Sequence, residues 1–80
     1  TTWGRYVEAK LLVEVTPGDA RVVLDDVIAR TAASPRMHAG AHVYAALAAH
    51  RLGDLERAVR HAELARANSG LARVASAALA

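Results

Sequence analysis

The sequence predicts an all-α protein of antiparallel helical hairpins, about five helices in 80 residues. Three observations predict it. Apolar residues recur at helical spacing in each stretch between turns. The turns repeat at a fixed distance, since Gly18-Asp19 returns as Gly53-Asp54 and Ser34-Pro35 as Ser69-Gly70, each 35 residues on. Small residues, chiefly 20 alanines, line the expected inner faces and let helix axes approach closely. The period reads as one helical-repeat domain or fragment over 1–80, with a first unit over about 1–35, a second over about 36–70, and the opening helix of a third over 71–80.

The first element covers residues 1–15, with Thr2 as its expected cap and Trp3, Tyr6, Val7, Leu11 and Val15 on its inner side. Leu11-Leu12-Val13 and Val15 are β-prone, but the length of the segment and the flanking Glu8, Lys10 and Glu14 favour helix. Residues 16–19 break it, because Pro17 cannot continue the hydrogen-bond ladder, Gly18 permits a turn and Asp19 suits an N-cap. The second helix, over 20–33, carries Val23, Val27 and Thr31 on one stripe with Leu24 and Ile28 beside it. Arg21–Asp25 and Asp26–Arg30 fall at i,i+4 on its outer side.

Ser34-Pro35 ends that helix and starts the next, a cap followed by proline at the first helical position. The third helix should run over 35–52 and the fourth over 55–67. Between them Gly53 suits the position just past a helix end and Asp54 the following N-cap. Tyr44, Leu47, Ala48, Arg51 and Leu52 recur near helical spacing beside a small-residue stripe of Ala45, Ala46 and Ala49. On the fourth helix Leu55, Ala58, Val59, Ala62 and Ala65 form one expected buried face. Asn68-Ser69-Gly70 closes it, and Leu71, Val74, Ala75 and Ala78 give the fifth helix its apolar side.

Residues 39–67 resemble a tetratricopeptide repeat, a helix–turn–helix unit of about 34 residues. Ala46 stands where that family prefers Gly or Ala, Leu52-Gly53-Asp54-Leu55 match its turn, and Ala58 and Ala65 match its small positions in the second helix. Ala45, Ala49, Ala62 and Gly70 depart from its usual larger residues and proline. The resemblance implies hairpins stacked as a right-handed solenoid, with the first helix of each unit lining a concave groove. The implied groove residues are Val43, Tyr44, Leu47, His50 and Arg51 in the second unit and Arg5, Glu8 and Leu12 in the first.

Composition narrows the function classes. An apolar share of 54% with mean hydropathy +0.15 argues against disorder, while the alanines and the absence of Phe imply a thin core. Without cysteine there are no disulfides or thiolate metal sites, and cytoplasm is the expected compartment. No apolar run reaches the roughly 20 residues of a spanning helix. Nine of the ten basic residues are Arg, a bias that points to a GC-rich bacterial source. The start at Thr1 and the end at Leu79-Ala80 suggest a piece of something longer.

Chemistry is sparse. His38 and His42 lie at i and i+4, a spacing that suits one metal, but neither His50 nor His61 obviously converges with them and no HExxH pattern is present. Adjacent Asp25 and Asp26 point in different directions, the serines stand in no nucleophile motif, and no glycine-rich phosphate loop is found. We expect no enzyme, cofactor or metal centre. The leading expectation is a protein–protein interaction or scaffold module that binds a protein or peptide in the repeat groove, within a larger bacterial regulatory or signalling protein. Tyr44 and Arg51 are residue types that serve as anchors. One alternative is a basic helix-turn-helix-like nucleic-acid binder using Arg51, Arg57, Arg60, Arg66 and Arg73, since residues 35–80 carry net +3 against −1 for 1–34. Another is self-association through apolar ends at Trp3 and Leu79.

Overall fold

In a computed structural model, which describes residues 1–68, four helices follow one another. They are α1 (Thr2–Val15), α2 (Pro17–Arg30), α3 (Pro35–Arg51) and α4 (Leu55–Asn68). All regular structure among the described residues is helical. The fifth helix expected over 71–80 lies outside the described residues. Each helix packs on the next, and α3 also touches α1, so α2 and α3 form the centre of the molecule.

Turn chemistry sets the boundaries. Gly53 takes φ +80° at the end of α3, a conformation that L side chains rarely adopt. Its N–H donates to the His50 carbonyl at 3.0 Å and the Asp54 N–H donates to the Ala49 carbonyl at 2.9 Å, the paired bonds of a Schellman C-cap. Asp54 then accepts from the Arg57 N–H at 3.2 Å and caps α4, as the sequence predicts. Ser34 and Pro35 open α3 in the expected positions, although the serine hydroxyl makes no capping bond.

The first unit corrects two expectations. Thr1 rather than Thr2 caps α1, accepting from the Gly4 N–H at 3.0 Å. Helix α2 starts at Pro17 itself, since proline costs nothing at a first-turn position whose N–H is free anyway. Asp19 therefore sits inside the first turn of α2. The cap position falls to Thr16, whose hydroxyl makes no capping bond and is buried without a partner.

The core is small and close-packed. Tyr6, Ala9 and Val13 from α1 meet Ala20, Val23, Leu24 and Val27 from α2 and Ala41, Ala45 and Ala48 from α3. Of the inner side expected for α1, Tyr6 is buried, joined by Ala9 and Val13, whereas Trp3, Val7, Leu11 and Val15 face outward. Apolar residues on several sides of α1 blur its amphipathic signal, and the alanine at position 9 is what lets α1 approach its neighbours. On α3 the alanine stripe is the inner face, whereas Leu47 and Leu52 are exposed.

Tyr6 is fitted into this core by a glycine. A Cβ at Gly40 would collide with the Tyr6 hydroxyl, so the bare backbone of α3 makes room for the ring. Tyr44 packs edge-on to Tyr6 at 6.0 Å between centroids, and the Lys10 ammonium lies 4.6 Å from the Tyr6 centroid and 5.4 Å from that of Tyr44. Burial, followed by the neighbouring Tyr44, raises the Tyr6 pKa above its ordinary value.

Two ion pairs tie helices together at the surface. Asp26 on α2 receives Arg5 from α1 at 3.0 Å and Arg30 at 2.9 Å, and the Arg30 hydrogen bond, then the charges of both arginines, lowers its pKa. Arg51 on α3 reaches Glu14 on α1 at 2.7 Å. The expected Arg21–Asp25 pair does not form.

Candidate functional site

Two features of the second hairpin stand out, one on each side of the seam between α3 and α4. The first is an apolar groove of about 810 Å³. Helix α3 supplies Ala39, Gly40, Val43, Ala46, Leu47 and His50 to it, and α4 supplies Leu55, Ala58, Val59, Ala62, Ala65 and Arg66. Alanine and glycine keep its floor low, while Leu47, Leu55 and Val59 stand along it as exposed apolar walls. The α4 stripe that the periodicity marks as buried is therefore mostly open: Leu55 is 61% exposed and Val59 57%, and only Ala65 is buried.

The repeat period gives that exposure its meaning. Thirty-five residues before Leu55, Ala58, Val59 and Ala62 stand Ala20, Val23, Leu24 and Val27 on α2. Those four are buried, with Leu24 and Val27 fully enclosed. The following helix, α3, packs on α2. Stripes that lie 35 residues apart in sequence are thus covered on α2 and open on α4. Fully burying a leucine or valine side chain contributes about 1.5–3 kcal/mol, so an occupant of this groove gains several such increments before its own ordering cost.

The groove residues implied by the family resemblance separate into two groups. Val43, Leu47 and His50 line the observed groove. Tyr44 instead packs inward against Tyr6, and Arg51 is held by Glu14. In the first unit Leu12 is half-buried against the core, Arg5 pairs with Asp26, and Glu8 is exposed. Of the arginines expected to make a basic stripe, Arg51 and Arg57 are engaged within the molecule, the latter with Asp54 at 3.5 Å. Arg73 lies outside the described residues.

The second feature is a histidine cluster that sequence spacing shows only in part. His42 is buried at 4% exposure and lies between His38, one turn earlier on α3, and His61 on α4. Its Nε2 is 3.3 Å from His38 Nε2, and its Nδ1 is 2.9 Å from His61 Nδ1. His38 Nδ1 in turn lies 3.1 Å from the hydroxyl of buried Thr31, just past the end of α2. Burial lowers the pKa of His42, with His38 and His61 adding to the effect. His61 is also lowered, mainly by burial, with Arg57 and Arg60 adding and Asp25 opposing.

The i,i+4 histidines are near each other, as their spacing implies. The link to His61 is a tertiary contact across 19 residues, and only the antiparallel pairing of α3 and α4 could have announced it. Among the described residues no group of three His, Cys, Asp or Glu side chains converges on a metal position. His42 offers opposite ring nitrogens to its two neighbours, an arrangement that makes a chain and not a chelate. No described helix is long and apolar enough to cross a membrane.

Comparison with known proteins names no relative: no protein-family model matches the chain, and no curated protein or solved structure matches it either.

Proposed function

We propose that this chain is a protein-interaction or scaffold module, a tetratricopeptide-like piece of a stacked helical array within a larger bacterial regulatory protein. In this reading the α3–α4 groove receives an apolar helix face. The observation that carries it is the pair of matched stripes: α2 buries Ala20, Val23, Leu24 and Val27 in the core it shares with α1 and α3, while α4 leaves Leu55, Ala58, Val59 and Ala62 lining an apolar groove. The occupant is an amphipathic helix with small apolar residues on its inner face, because the alanine-floored groove admits close approach. A third hairpin of the array or a helix from a partner protein meets that description. The reading carries a cytoplasmic setting with it, and neither catalysis nor a cofactor.

A peptide with the sequence of residues 35–51 is the natural probe, since α3 is the helix that follows α2 and packs on it. Titrating it into the full chain should shift the amide resonances of Val43, Leu47, Leu55 and Val59 and raise helicity. Leu55→Glu with Val59→Glu should abolish both changes. Binding that survives the double substitution, or that falls steeply with salt and is matched by random duplex DNA, would reject the groove reading.

A further inference from the structure

The histidine cluster has a hydrogen count that fixes its protonation. The Thr31 hydroxyl lies 2.8 Å from the Val27 carbonyl, which cannot donate, so the single hydroxyl proton belongs to that bond. Thr31 Oγ1 then accepts from His38 Nδ1–H. A neutral His38 has a bare Nε2, and the contact with His42 Nε2 requires that His42 donate there. His42 Nδ1 is bare in consequence, and His61 Nδ1–H donates to it. Every ring nitrogen is matched except His61 Nε2, the free end of the chain on a half-buried residue.

We propose that His38, His42 and His61 form an imidazole relay that binds one proton with the α3–α4 hairpin intact and cannot bind a second without breaking it. The first proton comes from solvent to His61 Nε2. His61 stays a donor at Nδ1, so all three bonds survive and the charge can pass along the chain by tautomer exchange. A second proton has only the two N···N contacts to enter. Wherever it lands, two N–H groups face each other across one of those contacts, and a second imidazolium charge is held within the three-ring chain beside the α3–α4 seam.

The surroundings allow one charge and oppose a second. From α2, Asp25 faces His61 and favours its cation; from α4, Arg57 and Arg60 oppose it; on α3, the neighbour is His38. Thr31 contributes a hydroxyl that does not titrate. His42 and His61 directly precede Val43 and Ala62 of the groove, so the relay lies across the same seam. Acid that loosens this seam deforms the groove on its other side. The relay stands on its own geometry whether or not a helix occupies the groove.

Imidazole nitrogen resonances of the full chain test this directly. Near pH 7.5 they should report the Nδ1–H tautomer for His38, Nε2–H for His42 and Nδ1–H for His61. On acidification below the ordinary histidine value of about 6.5 the cluster should take up one proton with the seam contacts retained. The unfolded chain binds three protons at these positions and the native one at most one. The folding equilibrium should therefore fall by a factor approaching about 100 per pH unit in mild acid. His42→Leu should cut that dependence to tenfold or less per unit, because the two remaining rings titrate separately. His50→Gln, at an exposed ring outside the cluster, should leave it unchanged. Three histidines titrating together near the ordinary value would overturn the relay, whether because the rings stand apart or because the hairpin does not form. So would a different set of tautomers, or a stoichiometric response of these resonances to added zinc, which would replace the relay with a metal site.

Discussion

Helices α2 and α4 have the same length, and each carries an apolar stripe that a 35-residue step in sequence matches to the other's, yet they live in different surroundings. On α2 the stripe of Ala20, Val23, Leu24 and Val27 is enclosed. On α4 the matching stripe is open along a groove. The difference does not come from the local sequence, because Leu55 and Val59 are as apolar as the residues they match. It comes from the neighbour each helix has: α2 has α3 lying on it, and among the described residues α4 has no such cover. An amphipathic pattern says which face of a helix wants a partner. It does not say whether the partner is present.

The largest effect that separates the two helices should come from Leu24 and Val59, which the period places opposite each other. Leu24→Ala leaves a cavity in a closed site and should cost about 2–5 kcal/mol in chemical denaturation. Val59→Ala removes an exposed side chain and should change stability by no more than about 0.5 kcal/mol. Similar losses at both sites would mean that α4 is covered as well.

A smaller effect probes how the second hairpin seats on the first. Gly40→Ala should gain about 1 kcal/mol of helix propensity at an isolated site. Here the added methyl meets the Tyr6 hydroxyl, and overpacking of this kind costs about 1–3 kcal/mol, so a net loss is expected. Combining it with Tyr6→Phe removes the colliding oxygen and should return part of that loss, a coupling of at least about 0.5 kcal/mol in a double-mutant cycle. Strict additivity would show that Tyr6 and Gly40 are not packed against each other.

Much of the fold was legible because turns carry their own chemistry. Gly53 and Asp54 each have one local reason to stand where they do, and Ser34-Pro35 likewise marks its boundary. The inner faces of α2 also followed from spacing, since Val23, Leu24, Val27 and Thr31 share one stripe. The face of α1 was harder to read. Leu11, Leu12, Val13 and Val15 surround the helix, and the choice among them is made by Ala9, which is small enough to bring α1 against its neighbours. Similarly, the alanines of α3 form its core face while larger Leu47 points into the groove.

The candidate sites were legible only where they are local. The pairing of His38 with His42 is a matter of one helical turn. The pairing of His42 with His61 depends on how two helices lie side by side. Tyr44 and Arg51 have the makings of binding anchors, but their neighbours Tyr6 and Glu14 come from α1 and engage them first.

Thiol labelling of a matched pair tests the contrast between α2 and α4 most directly, and the absence of native cysteine makes the background clean. Val27→Cys places a near-isosteric thiol in the closed stripe, and Ala62→Cys places one at the equivalent open position. The account predicts that the thiol at 62 reacts within about tenfold of an unfolded chain, while the one at 27 is slower by roughly 1,000-fold or more, reacting only when the helices part. Equal protection at the two sites would contradict it and would mean that the groove on α4 is already filled.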